Sequence, residues 1–207
     1  MIYARNAAKA GADPVLAARC YGSADGVSVL DPLKVAGKVV LCERGAIALV
    51  NKGQAVRETG GVGMIIGNVD GFSDTLVSID HQIPAIHVTI ADTKKIMTYL
   101  GANEAPTVGM SVFKAIKGTT AAPMMANFSS RGPNRGYASM LKPDLTAPGV
   151  DILAGYVPNL TQEERNQVAA GAAAPAAWDF LQGTSMSSPH VAGLGALLKQ
   201  QHPDWSP

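Results

Sequence analysis

A glycine-led turn that enters a helix of small residues sets the architecture of the C-terminal part of this chain. It reads Gly183-Thr184-Ser185-Met186-Ser187-Ser188-Pro189-His190-Val191-Ala192-Gly193. Gly183 permits a tight turn, and Ser185 then falls at the start of the helix. A serine there lies at the positive end of the helix dipole, beside backbone N–H groups that have no acceptor within the helix. We place Pro189 in the first turn, where a missing N–H costs no hydrogen bond.

This segment resembles the serine-bearing motif of the subtilisin-like protease family. The resemblance implies that Ser185 is the acylating nucleophile, that its own backbone N–H forms half of the oxyanion hole, and that Thr184 assists. A well-placed donor to an oxyanion is worth about 3–4 kcal/mol. Gly183, Pro189 and His190 match structural positions of the motif. A serine in a lone Gly-Thr-Ser would more commonly be a helix N-cap, but a match over eleven consecutive residues favours the nucleophile.

Segments that flank the motif extend the resemblance. They are Asn127-Phe128-Ser129-Ser130-Arg131-Gly132-Pro133-Asn134, Leu141-Lys142-Pro143-Asp144-Leu145-Thr146-Ala147-Pro148-Gly149-Val150 and His202-Pro203-Asp204-Trp205-Ser206-Pro207. They are most similar to the plant cucumisin-like branch and its bacterial relatives. These loops are interpreted as turns and core, and Asp144 is expected to anchor its loop rather than to act as a catalytic acid.

Apolar runs predict a small α/β domain over residues 1–119. The runs at 37–42 and 63–68 suit buried strands, and residues 49–60 between them have helical spacing and a glycine stop. Strand, helix and strand of this length form a βαβ unit with parallel strands. A strand at 83–89, a helix at 92–101 and a strand at 106–117 complete the domain.

A second domain is predicted over residues 120–207, after a polar break at 118–120. Strands are expected at 124–128 and 151–154, and the helix that carries Ser185 at about 183–201. The resemblance implies that this domain is the C-terminal half of a subtilisin-like parallel-sheet domain whose sheet is incomplete. The fold class is therefore α/β in both parts.

The chain has two cysteines, Cys20 and Cys42, and neither belongs to a Cys-x-x-Cys pair. No histidine cluster has metal-ligand spacing, so neither a metal nor a cofactor is expected. Composition leaves two interpretations open. The cysteines are either buried thiols of a cytosolic protein or a disulfide that closes a loop of about 22 residues and is worth about 3 kcal/mol.

The first domain resembles a protease-associated domain, of the kind inserted in some subtilases ahead of the serine motif. The resemblance is carried by Cys20, the run at 37–42, Arg44-Gly45 and the segment from Gly60 to Asn68. It implies a non-catalytic role, either shaping substrate access or supporting dimer contacts. It also favours a Cys20–Cys42 disulfide and a secreted, extracellular protein.

The base and the orienting carboxylate that serine chemistry requires are absent from this sequence. In the family they come from Asp-(Thr/Ser)-Gly and His-Gly-(Thr/His) motifs ahead of the inserted domain, and neither motif occurs here. None of the four histidines is a credible base; His190 lies about 140° around the helix from Ser185.

The sequence therefore predicts a fragment of a serine endopeptidase that hydrolyses polypeptides through an acyl-enzyme on Ser185. The fragment is expected to be inactive without its partner, the N-terminal part of the catalytic domain. Two alternatives remain open: a non-catalytic binding module of the protease-associated type, and a pseudoprotease whose parent has lost the base.

The composition suits a folded, nearly neutral enzyme domain. Of 207 residues 47% are hydrophobic and 16% charged, and the formal net charge is +1. This balance gives no electrostatic reason to expect nucleic acid as a partner. No apolar run of about 18 residues is long enough to span a membrane, and no signal-peptide core is present. Both termini are abrupt, and we expect them to be truncations.

Overall fold

The computed structural model describes residues 1–111, 123–156, 162–174 and 177–206. It divides the chain into two compact units, Met1–Asn127 and Phe128–Pro207. The boundary predicted between residues 119 and 120 lies outside the described residues, as does most of the strand predicted at 106–117. The described part of that strand, residues 106–111, has no regular secondary structure.

The first unit is built on a parallel four-stranded sheet in the order β1-β2-β3-β4. Its strands are β1 (Ile2–Tyr3), β2 (Val39–Glu43), β3 (Gly63–Gly67) and β4 (Ala85–Val88). Its α-helices are α1 (Pro14–Ala18), α2 (Pro32–Val35), α3 (Leu49–Glu58) and α4 (Ile90–Ala102). The predicted βαβ unit is confirmed as β2, α3 and β3.

The core of this unit lies on both faces of the two central strands. Every residue of β3 is buried, and so are Val40, Leu41 and Cys42 of β2. Burial on both faces explains why these strands appear in the sequence as continuous apolar runs rather than alternating patterns. Helix α4 approaches β3 closely at Gly67, where an added Cβ would lie 2.7 Å from Thr93 Oγ1.

Cys20 and Cys42 form a disulfide inside this core. Their Cα atoms are 5.6 Å apart, and both residues are fully buried. The bond joins the turn that follows α1 to β2, near the carboxyl end of that strand. It therefore fixes a helical layer of the unit directly to a central strand.

The second unit has a two-stranded sheet and two helices among the residues that the structure describes. Strand β5 (Ile152–Tyr156) pairs with β6 (Ala177–Leu181), and the helices are α5 (Gln162–Ala169) and α6 (Thr184–Gln201). The strand predicted at 151–154 and the helix predicted at 183–201 are present. Residues 124–128 form no strand, and among the described residues no strand pairs with them; a strand needs such a partner for its hydrogen-bond ladder.

The strand pairing in the second unit differs from the expected parallel sheet. Strands β5 and β6 are antiparallel, with Ile152 opposite Leu181 and Tyr156 opposite Ala177. A parallel pair needs a crossover connection that returns the chain to the same end, whereas an antiparallel pair does not. Among the described residues, parallel strands are therefore found only in the first unit.

Burial is distributed unevenly along the chain. All buried apolar side chains among the described residues lie between Ala4 and Ile66, whereas Gly149 is the one buried residue described in the second unit. Apolar side chains of β6 and α6, such as Trp178 and Leu197, are more than half exposed. Within the described ranges no helix is both long and apolar enough to cross a membrane.

Candidate active site

The turn before α6 requires glycine at position 183. Gly183 is the N-cap residue, with φ 153° and ψ 169°, a conformation that L side chains rarely adopt. Its N–H donates a hydrogen bond to Gly149 O at 2.8 Å, and its carbonyl accepts one from Met186 N–H at 3.0 Å. The first turn of the helix is therefore tied to the loop that contains Gly149.

Gly149 allows that loop to lie against the helix. A Cβ at this position would lie 2.2 Å from Ser187 Oγ and 2.9 Å from Gly183 O, so any side chain would displace the first turn of α6. Sequence reasoning missed this contact. The signal that could have found it is the Pro148-Gly149 pair, which places a residue without a side chain in an apolar loop.

Ser185 is the second residue of α6, and its side chain is exposed. No side chain caps this helix, so Ser185 does not act as an N-cap. Within the part of the chain that the structure describes, the backbone N–H groups of Thr184 and Ser185 have no hydrogen-bond acceptor. Two free donors next to an exposed hydroxyl can receive an anionic oxygen from a bound molecule.

Pro189 lies in the second turn of α6, not in the first turn as the sequence suggested. The helix begins at Thr184, so Pro189 is its sixth residue, inside the helix. Its missing N–H would have bonded to the carbonyl of Ser185, four residues earlier. The carbonyl of Ser185 thus lacks its usual intrahelical donor.

The two histidines of the second unit make contacts that do not involve Ser185. His190 Nδ1 lies 2.7 Å from Met186 O, and because a carbonyl only accepts, Nδ1 carries the proton. The ring of His202 stacks on Trp205, with centroids 4.0 Å apart. His81 and His87 belong to the first unit. None of the four imidazoles is hydrogen-bonded to Ser185 Oγ in the described structure.

The Asp144 carboxylate pairs with a lysine rather than with a histidine. Asp144 accepts a hydrogen bond from Lys142 Nζ, two residues away on an exposed loop. That hydrogen bond lowers the pKa of the Asp144 carboxyl. Over the described ranges no group of three or more histidine, cysteine, aspartate or glutamate side chains could hold a metal ion.

Both units match known protein families. Residues 64–207 match the Subtilase family, Peptidase_S8, and residues 2–96 match the PA domain. The two matches together span nearly the whole chain and define a peptidase segment with a protease-associated domain. The chain belongs to the subtilase family, as its resemblance to the serine-bearing motif predicted.

Relatives from Arabidopsis thaliana show the same similarity over most of the chain. Subtilisin-like protease SBT1.3 is 40% identical over 86% of this chain, and Subtilisin-like protease SBT1.7 is 42% identical over 86%. Subtilisin-like protease SBT5.3 is 36% identical over the same share. The matched segments are 22%, 23% and 22% of those relatives, so the chain spans less than a quarter of their length.

Proposed function

We propose that this chain supplies the nucleophile of a serine endopeptidase, and that Ser185 forms the acyl-enzyme. One observation carries the proposal: Ser185 is exposed at the second position of α6, with the free N–H groups of Thr184 and Ser185 beside it. This arrangement occurs in a chain of the subtilase family. Membership supports a serine-type peptidase, and the relatives named above are subtilisin-like proteases.

In the proposed reaction, Ser185 Oγ attacks the carbonyl carbon of a peptide bond. A general base takes the hydroxyl proton and returns it to the leaving amine, and water then hydrolyses the ester. The backbone N–H of Ser185 donates to the oxyanion of the tetrahedral intermediate, with assistance from Thr184. Gly183 and Gly149 hold these donors in position, because their contacts fix the first turn of α6.

The base and the orienting carboxylate come, in this proposal, from a segment outside the 207 residues. The sequence contains neither the aspartate nor the histidine motif of the family, and no described histidine is hydrogen-bonded to Ser185. Removing the base removes most of the acceleration of a serine protease. The chain alone is therefore proposed to be inactive, with the N-terminal part of the catalytic domain as its partner and polypeptides as substrates.

A fluorophosphonate probe tests this proposal, because an activated serine displaces its fluoride and becomes phosphonylated, whereas an ordinary serine does not react. The probe is applied to this chain and to the same chain extended to its natural start. We expect labelling of the extended chain alone, and its loss in Ser185→Ala. Ser188→Ala is the matched control, because Ser188 is exposed on the same helix three residues away. Labelling that survives Ser185→Ala would overturn the assignment.

The alternative function is a protein-binding module of the protease-associated type. It is favoured by the concentration of the buried core in the first unit, whereas the described part of the second unit is almost entirely exposed. If neither the chain nor its extended form is labelled while both are folded, the parent is a pseudoprotease or a binding module. In that case Ser185 has only a structural role.

We also propose that the protein is secreted. The support is the Cys20–Cys42 disulfide, because such bonds form and persist in oxidising compartments such as the extracellular space. Fractionation of the source cells and medium tests this. Recovery of the protein only from the cytosol, with both thiols free, would contradict it.

A further inference from the structure

The connection between β3 and β4 is fastened to the sheet by two polar side chains at the ends of central strands. Arg44, which follows β2, donates from Nη1 to Ser73 O at 3.0 Å and to Thr75 O at 2.8 Å. Asn68, which follows β3 and is fully buried, donates from Nδ2 to Thr75 O at 3.3 Å. Asn68 Nδ2 also donates to Asp74 Oδ1 at 3.3 Å, so four hydrogen bonds from these two side chains hold residues 73–75 over the carboxyl edge of the sheet.

A third side chain, His87 of β4, fastens the same connection at Val77. The backbone N–H of Val77 donates to His87 Nδ1 at 3.0 Å. A backbone N–H only donates, so Nδ1 must be unprotonated. The ring proton is then on Nε2, which lies 2.7 Å from Asn68 Oδ1 and donates to it. The contact at Val77 therefore exists only with a neutral ring.

The surroundings of His87 oppose its protonation. Burial, and next the Arg44 guanidinium, lower its pKa to about 4. His81, on the same connection, acts in the same direction, whereas the Val77 backbone and the Asp74 carboxylate act in the opposite direction and do not offset burial. Protonation at Nδ1 would set two N–H donors against each other, and the contact with Val77 would be lost.

We propose that His87 is an acid-operated latch for the connection between β3 and β4. In the neutral form its ring holds Val77 against the sheet. In the protonated form it repels the Val77 N–H and the neighbouring Arg44, and the connection from Ser73 to Val77 opens. Opening exposes Asn68 and Arg44 at the carboxyl edge of the parallel sheet. The latch lies wholly in the first unit, so it does not depend on the role of Ser185.

The test is an NMR titration of the whole chain from about pH 7 to about pH 3, a range that spans the ordinary and the lowered pKa of the ring. Ring nitrogen shifts report the tautomer and titration of His87, and hydrogen exchange corrected for pH reports protection of the Val77 amide. We expect the Nε2–H tautomer at neutral pH. As the ring becomes charged, the protection factor of the Val77 amide should fall about tenfold or more. A neutral ring protonated at Nδ1, or protection unchanged after the ring has charged, would overturn the proposal.

Three variants separate the latch from general acid effects. His87→Asn keeps an oxygen acceptor near the position of Nδ1 but cannot titrate, so Val77 should stay protected in acid. His81→Asn is the matched control, because His81 Nδ1 is buried without a partner in the described structure, and acid opening should persist. Asp74→Asn removes the carboxylate whose charge favours the protonated ring, and opening should again persist. Acid opening in His87→Asn equal to that of the unchanged chain would reject the latch; if this variant fails to fold, the titration of the unchanged chain decides.

Discussion

Lys52 shows at the scale of one residue how burial makes stability depend on pH. The side chain is fully buried in α3, and its Nζ donates to Arg19 O at 2.5 Å. Burial is the main cause that lowers its pKa from 10.5 to about 8. Between these two pH values the unfolded chain holds a proton that the folded chain has released.

Stability should therefore rise as the pH rises through this window. The folded pKa is depressed, so the penalty of a buried charge is present below pH 8 and is relieved above it. From the size of the shift we expect a gain of about 2 kcal/mol by about pH 10, measured by urea denaturation. Lys52→Met should remove the rise. Tyr3 has the opposite effect above about pH 10. Burial and Glu43 raise its pKa, so the unfolded chain loses that proton before the folded chain does, and stability falls again at the alkaline end of the window. A flat profile for the unchanged chain would refute the prediction.

Gly149 gives a second prediction for a single position. Gly149→Ala places a Cβ against Ser187 Oγ and Gly183 O, and so moves the first turn of α6. If Ser185 is the nucleophile, the extended chain should then react with fluorophosphonate about tenfold more slowly or worse. Gly155→Ala is the control, because a Cβ there meets nothing within 4 Å.

The double variant Gly149→Ala/Ser187→Ala removes the closer of the two clashes. It should recover part of the rate, although the contact with Gly183 O remains. Equal rates for Gly149→Ala and Gly155→Ala would show that the loop does not position Ser185.

At the scale of secondary-structure elements, the first turn of α4 depends on Thr89. Its Oγ1 accepts a hydrogen bond from Asp92 N–H at 3.2 Å and thereby caps the helix. Thr89→Ala should lower the free energy of unfolding by about 1 kcal/mol. Thr98→Ala, in the middle of the same helix, is the matched control and should change stability little. The measurement is urea denaturation; equal effects of the two substitutions would exclude a capping role.

The helices and strands that were predicted correctly are those whose sequence pattern involves only neighbouring residues. Strands β2 and β3 are continuous apolar runs, and α3 has helical spacing with a glycine stop. Helix α4 begins at Ile90, two residues before the predicted start, because Thr89 is its cap. Residues 124–128 are apolar but form no strand, since a strand needs a partner that residue composition does not reveal.

Some features of the candidate site could likewise be predicted from neighbouring residues, and others could not. The position of Ser185 at the start of a helix and the turn at Gly183 follow from neighbouring residues, and both were predicted. The contact of Gly149 with Ser187 joins segments 38 positions apart (187 minus 149), and the set formed by Arg44, Asn68 and His87 joins three strand ends. Such contacts depend on the tertiary fold, which one sequence does not display.

At the scale of the whole molecule, the two units should differ in local stability. Amide protection requires buried, hydrogen-bonded backbone, and the first unit contains nearly all the burial described. Hydrogen exchange followed by mass spectrometry should show slow exchange in β2 and β3. It should show exchange about a hundredfold faster or more in β5 and β6, a difference of roughly 3 kcal/mol in opening free energy. Equal protection of the two sheets would contradict this expectation.

The buried disulfide has a consequence for how the protein matures. Cys20 and Cys42 have no exposed surface in the folded chain, so neither an oxidant nor a reductant in solution can reach the sulfur atoms there. Oxidation must take place while α1 and β2 are still open to an oxidoreductase, and it belongs to biosynthesis. Once closed, the bond is insulated from the redox state outside, and its loss requires the first unit to open.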